Sequence, residues 1–202
     1  MVTFHVPTHS TEEDPLVFRV PAQAVLFAGS RRGHVPPDTA SLLVASLSQA
    51  GLSFLTGCAS GVDASIRHTL SLSEKTREHS FIACAFPDRV CQSLSKGLFA
   101  SVVVPDGLSP AAALRRRTLW MVKRCVLLIL FPDDPATGRW GRGSTLAFRS
   151  TLDQLKPVFV VTRNPPRQSH HYRLIPDSLY GAVDGYWVVP HPVEAGTCDE
   201  EW

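Results

Sequence analysis

Seven consecutive apolar residues, CVLLILF at 125–131, rule out most architectures for this chain. Successive side chains of a strand point to opposite faces, so a run with no polar interruption must be covered on both sides. Comparable runs recur at 24–28 (AVLFA), 81–86 (FIACAF) and 157–162 (PVFVVT), with shorter ones at 52–56 (LSFLT) and 100–105 (ASVVVP). Between them lie segments of helical period. Residues 38–50 (DTASLLVASLSQA) place Leu42, Leu43, Leu47 and Ala50 on one helical face, behind an Asp able to cap the first turn and ahead of Gly51. Residues 63–73, 109–124 and 144–155 also read as helices, the second with Pro110 in its first turn. Buried strands alternating with helices of this length call for right-handed crossovers. The expected fold is a doubly wound α/β architecture, a mostly parallel sheet with helices on both faces.

A chain of 202 residues, 44% hydrophobic and 19% charged, is long enough for one domain and cramped for two. The reading divides it into an N-terminal arm at 1–21, the α/β domain at 22–163, and an extension at 164–202. Within the extension AVDGYWVVP (182–190) suggests a strand in an edge hairpin, and GTCDEEW reads as a tail. A net charge of +2 is too mild to declare a nucleic-acid binder from bulk electrostatics, so local clusters must carry any such argument. The five cysteines (Cys58, Cys84, Cys91, Cys125, Cys198) form no C-x-x-C pair, which fits a reducing compartment. With no basic-then-apolar leader and no apolar run of spanning length, the expectation is a cytoplasmic protein without a membrane partner.

In an open parallel sheet, ligands bind beyond the carboxyl ends of the strands, where loops leave and helix N-termini present free N–H groups. Four motifs fall at such ends. AGSRR offers Gly29 for close backbone approach, the Ser30 hydroxyl, and Arg31 and Arg32 as charge-assisted donors suited to phosphate. TGCASGVD brings Gly57 and Gly61, with Asp63 placed to cap the next helix or to accept from a ribose hydroxyl. Its spacing is neither the dinucleotide fingerprint nor a Walker A loop. ALRRRTLWMVKR carries Arg115, Arg116 and Arg117 on a helix, fanned so widely that at most one or two can converge on a pocket. GRWGRGST supplies Gly143, Ser144 and Thr145 at a helix start, with Arg139, Trp140 and Arg142 placed to hold phosphate or stack a base. Each motif also has a plain reading: tight turns, solvated arginines, and Trp140 as a lid over the core. Asp88 and Arg89, after the third strand, are secondary candidates at the same edge.

Taken in order, the four motifs resemble the Rossmann-type domain of the DNA-processing protein A (DprA, Smf) family, within the SLOG superfamily that also holds the LOG and YAcAr proteins. The family's G-S-R is matched by Gly29, Ser30 and Arg31, and its S-G-x-A-x-G-I-D loop by Thr56, Gly57, Ala59, Gly61, Val62 and Asp63. Its R-N-R element is matched by Arg115 to Arg117, and its G-S-x-x-T-A helix start by Gly143, Ser144 and Ala147. The resemblance covers roughly residues 22–162. Ser60 replaces the family's basic residue in the second loop and Arg116 replaces its Asn. The resemblance implies a single-stranded DNA partner and a homodimer formed through exposed edge elements.

Three function classes follow. The first is a binding module that grips the phosphates of single-stranded DNA or of a nucleotide, needing no nucleophile, cofactor or metal. The second is an enzyme of the LOG type, which cleaves a nucleotide's N-glycosidic bond with the Glu of P-G-G-x-G-T-x-x-E. The matching stretch here, GRGSTLAFR, has no Glu at that place, so no catalytic residue is assigned. The third is a small-nucleotide sensor using the same pocket. His170 and His171 are adjacent, with no Cys/His quartet around them, and do not read as a metal site.

Overall fold

The computed structural model describes residues 23–134 and 140–191. The expected arm at 1–21, Arg139, and the tail with Cys198 lie outside the described residues. Chain order is β1 (Ala24–Gly29), α1 (Pro37–Gln49), β2 (Ser53–Gly57), α2 (Val62–Leu70), α3 (Glu74–Glu78), β3 (Ser80–Cys84), α4 (Pro87–Leu94) and β4 (Phe99–Val102). Then follow α5 (Pro110–Arg124), β5 (Cys125–Phe131), α6 (Arg142–Leu152), β6 (Val158–Val160), β7 (Tyr172–Leu179) and β8 (Val183–Pro190).

One sheet contains the strands in the order β4-β3-β2-β1-β5-β6-β8-β7. β1 to β6 pair in parallel, while β8 runs antiparallel to β6 and β7 antiparallel to β8. The two-residue alternation of a strand divides each apolar run between two cores. Val25 and Phe27 of β1, and Leu127, Ile129 and Phe131 of β5, pack with Leu43 and Leu47 of α1 and Ile66 and Leu70 of α2. Ala24 and Leu26, with Leu128 and Leu130, pack instead with Met121 and Val122 of α5 and Ala147 of α6. The architecture is therefore the doubly wound, mostly parallel Rossmann-like sheet anticipated from the runs.

Local details differ from the sequence reading. The buried stripe of α1 is Ala40, Leu43, Val44 and Leu47, while Leu42 is 46% exposed and Ala50 is the exposed C-cap. At about a hundred degrees per residue Ala40, Leu43, Val44 and Leu47 fall on one side of the helix, and Leu42 falls roughly opposite the middle of that stripe. The short helices α3 and α4 carry too few buried apolar residues to announce themselves. β7 holds Pro176 and survives because it is the edge strand, bonded to β8 alone.

Strand order reverses between β1 and β5: chain after β1 builds outward through β2, β3 and β4, and chain after β5 builds the other way. The loops after these two strands part to opposite faces, which opens a crevice at their carboxyl ends.

Candidate functional site

The floor of the crevice is stitched by backbone. The Ser30 N–H donates to Phe131 O at 3.0 Å across the β1/β5 reversal, and the Val62 N–H donates to Ser30 O at 3.0 Å. The Ser30 side chain, in a residue only 3% exposed, accepts from the N–H groups of Arg32 and Gly33, both at 3.0 Å. Its hydroxyl oxygen thus closes its own turn. Gly61 holds a φ of 71°, and a Cβ there would stand 2.2 Å from Ser30 O and 2.5 Å from the Arg31 carbonyl carbon. Only glycine lets the first and second loops touch in this way. The Ser60 hydroxyl donates to Arg31 O at 3.2 Å, and the side chains of Arg31 and Arg32 are exposed on the outside of the seam.

Asp63 and Arg117 meet beneath the second loop. Asp63 is the second residue of α2 and Arg117 comes from α5 on the opposite face of the sheet, yet their residues are 6% and 7% exposed and Arg117 Nη2 stands 3.9 Å from Asp63 Oδ2. Gly57, the last residue of β2, makes the crossing passable: a Cβ there would lie 2.4 Å from Asp63 Oδ2 and 2.8 Å from Arg117 Cζ. The carboxylate also accepts the Ala59 N–H at 3.2 Å, and Arg117 Nη1 donates to Cys58 Sγ at 3.5 Å. Arg117 Nε is buried without a partner. Arg67, one helical turn after Asp63, donates from Nη1 to Gly57 O at 2.7 Å and Ala59 O at 2.9 Å. Desolvation lowers its pKa, partly opposed by the charge of Asp63. Two guanidinium groups and one carboxylate therefore fix the loop from below, while Arg115 and Arg116 stay exposed on α5. Of the three adjacent arginines one converges on the site, and what it meets is Asp63.

The fourth motif opens α6. Gly141 is its N-cap, Arg142 and Gly143 are exposed, Ser144 is buried, and the Thr145 N–H donates to Gly141 O at 2.9 Å. The remaining free N–H groups of the first turn face the carboxyl end of the sheet beside β5. Trp140 packs edge-on against Phe148, ring centres 4.5 Å apart, and Phe148 against Tyr172 at 6.2 Å. Its ring belongs to the apolar cluster under α5 and α6.

Asp88 and Arg89 open α4, both exposed, with Arg89 Nε 3.6 Å from Asp88 Oδ2. Arg89 also lines an open cavity of about 300 Å³ with Cys58, Arg67, Gln92, Ser93 and Lys96. The motifs read from sequence do not single out Cys58, Arg67 or Lys96 as site residues. For Arg67 a signal exists in its spacing of four from Asp63 on one helix face. Among the described residues no group of three or more His, Cys, Asp or Glu could hold a metal ion, and no helix is long and apolar enough to cross a membrane.

No protein-family model matches the chain, and no curated protein matches it. Solved structures do. One is DNA processing protein A from Helicobacter pylori, in a structure describing its single-stranded DNA binding mode, with 16% identity and a TM-score of 0.52 over 74% of this chain and 67% of that one. Another is DNA processing protein A (DprA) from Streptococcus pneumoniae, with 14% identity and a TM-score of 0.52 over 73% of this chain. The chain spans only 52% of the length of that second protein. At such identities the likeness speaks to backbone architecture alone. The chain has the Rossmann-like fold of the DprA structures.

Proposed function

We propose that this protein is a non-catalytic binding module for a phosphorylated ligand, single-stranded DNA in the first instance, held at the β1/β5 crevice. The observation that carries the reading is the convergence of three elements on that crevice: the loop bearing exposed Arg31 and Arg32, the second loop tied to it through Gly61, and the N-terminus of α6. Backbone N–H groups at the helix start, with Gly143, Ser144 and Thr145, and the guanidinium groups of Arg31 and Arg32 form an anion receptor. Arg115 rises from the first half of α5 at the same edge of the sheet and extends the basic rim. Gly29, Gly57, Asp63 and Arg117 hold the loops in place. The H. pylori protein of the same fold is described as binding single-stranded DNA, which favours that ligand over a free nucleotide.

The carboxylate of the second loop is not placed for hydrolysis. Asp63 is buried against Arg117 and accepts a backbone N–H, an arrangement that occupies it rather than leaving it free to take a proton or stabilise a cationic sugar. The described cysteines are all free thiols, in keeping with a cytoplasmic setting. Homodimerisation through a sheet edge, β4 or β7, belongs to the same reading.

Oligonucleotide binding titrated against salt tests the proposal. Affinity should fall with rising salt, with a log–log slope of about 0.7 per phosphate contacted. Thermal shifts with nucleotides and with oligonucleotides, run in parallel, identify which ligand stabilises the fold by mass action. Undetectable oligonucleotide binding at low ionic strength would overturn the DNA reading.

A further inference from the structure

The parallel ladder of β2 and β3 ends with Gly57 paired to Ala83, and Cys58 and Cys84 are the residues that follow these two partners. Both thiols are buried in the same apolar cluster, on the α1/α2 side of the sheet. Neighbouring strands lie about 4.8 Å apart, within the Cα separation of about 4.4–6.8 Å that a disulfide spans. Cys58 alone of the two lines the open cavity of about 300 Å³, whose other walls include Arg67, Arg89 and Lys96. A small peroxide can therefore reach Cys58 through a basic vestibule.

The charges around the Cys58 thiol are unbalanced in favour of cations. From α5 comes Arg117, whose Nη1 stands 3.5 Å from Cys58 Sγ and whose Nε is buried without a partner. From α2 come Arg67 and the carboxylate of Asp63, and from α4 and the turn after it come Lys96 and Arg89, the latter 3.6 Å from the exposed carboxylate of Asp88. Among the described residues Asp63 is the one carboxylate set against buried Arg117 and half-buried Arg67, and a thiolate at Cys58 would add a second negative charge beside them. The Cys84 thiol hydrogen-bonding to it, and then the charge of Arg117, hold Cys58 well below the ordinary thiol range against the opposing effect of burial. Cys84, facing that thiolate and buried, is pushed up and stays protonated.

We propose that Cys58 and Cys84 are a peroxide-sensitive dithiol: a hydroperoxide oxidises Cys58 to a sulfenic acid, and Cys84 resolves it to a disulfide. In the first step the Cys58 sulfur attacks one peroxide oxygen, an S–O bond forms and the O–O bond breaks. The sulfur gives up two electrons and the departing hydroxide takes a proton to become water. In the second step the Cys84 sulfur attacks Cys58 Sγ, the S–S bond forms, the S–O bond breaks, and the hydroxyl leaves with the Cys84 proton as water. The disulfide removes the thiolate that faces Arg117.

The test treats the full chain with hydrogen peroxide and maps thiols by mass spectrometry, circular dichroism confirming the fold of each variant. The expected product has lost two hydrogens and yields a peptide linking Cys58 to Cys84. Cys84→Ser should instead trap the sulfenic acid, labelled by dimedone at Cys58, and Cys58→Ser should leave Cys84 unmodified. Disulfide formation in the wild type should slow by less than about threefold between pH 8 and pH 6.5, because a thiolate that is already populated needs no further ionisation. Faster oxidation of exposed Cys91 than of Cys58, a linkage that excludes Cys84, or a rate falling with pH as for an ordinary thiol of pKa about 8.5 would each overturn the proposal.

Discussion

Replacing Gly57 by Ala is the most direct challenge to the site geometry. One methyl group would have to share space with Asp63 Oδ2 at 2.4 Å and with Arg117 Cζ at 2.8 Å, where ordinary contact begins near 3.4 Å. The two charged groups must then part by about 1 Å, and there is nowhere wet for them to go, since both side chains are 8% exposed. Overpacking a close-packed interior costs about 1–3 kcal/mol, and breaking a buried ion pair costs about 3–5 kcal/mol. Because the pair is strained apart rather than removed, the expected loss is about 3 kcal/mol. For a domain of this size that lowers Tm by about 6–12 °C. Gly143→Ala is the matched control: among the described residues no atom outside its own helical turn lies within 4 Å of its Cβ position, and α6 should gain about 0.4–1 kcal/mol from the substitution. Thermal and urea unfolding of both variants, followed by circular dichroism, checks the pair. A Gly57→Ala protein that melts within about 2 °C of wild type would refute the notch through which Arg117 reaches Asp63.

Asp63→Asn leaves Arg117 buried without its counter-charge and should destabilise by about 3 kcal/mol; a double-mutant cycle with Arg117→Gln, read by urea unfolding, should show coupling above about 1 kcal/mol. Arg31→Ala combined with Arg32→Ala should leave Tm unchanged while flattening the salt slope of oligonucleotide binding by about 0.7 for each phosphate no longer neutralised; unchanged binding would place the DNA elsewhere. Burial raises the Cys125 thiol from 9.0 to about 11, with Lys156 partly opposing. The unfolded chain therefore releases this proton first, so the contribution is fully present below pH 9 and is lost as pH rises to about 11. Cys125→Ala should remove that alkaline slope, worth about 2 kcal/mol between pH 8 and pH 10.5, as measured by urea unfolding at those two values.

The fold was largely legible because burial on two faces has a one-dimensional signature. A run such as CVLLILF has no polar side on which to rest, and β5 occupies those seven residues. Weakly patterned pieces were not legible: α4 is short and mostly exposed, and β7 draws its order from pairing with β8 rather than from its own residues. At the site the chain order of glycines, serines and arginines marked the loops that lie at the carboxyl ends of the strands, since loops at strand ends are set by the same alternation. Which arginine turns inward was not decided there. Arg115, Arg116 and Arg117 are equivalent along the chain, and only the rotation of α5 against the sheet buries the third beside Gly57, Asp63 and Cys58. The closeness of Cys58 to Cys84 likewise follows from the register of two strands, a long-range property that neither cysteine's neighbours encode. Local patterning determines which surfaces must be covered; the close packing of those surfaces selects which charged groups are drawn in with them.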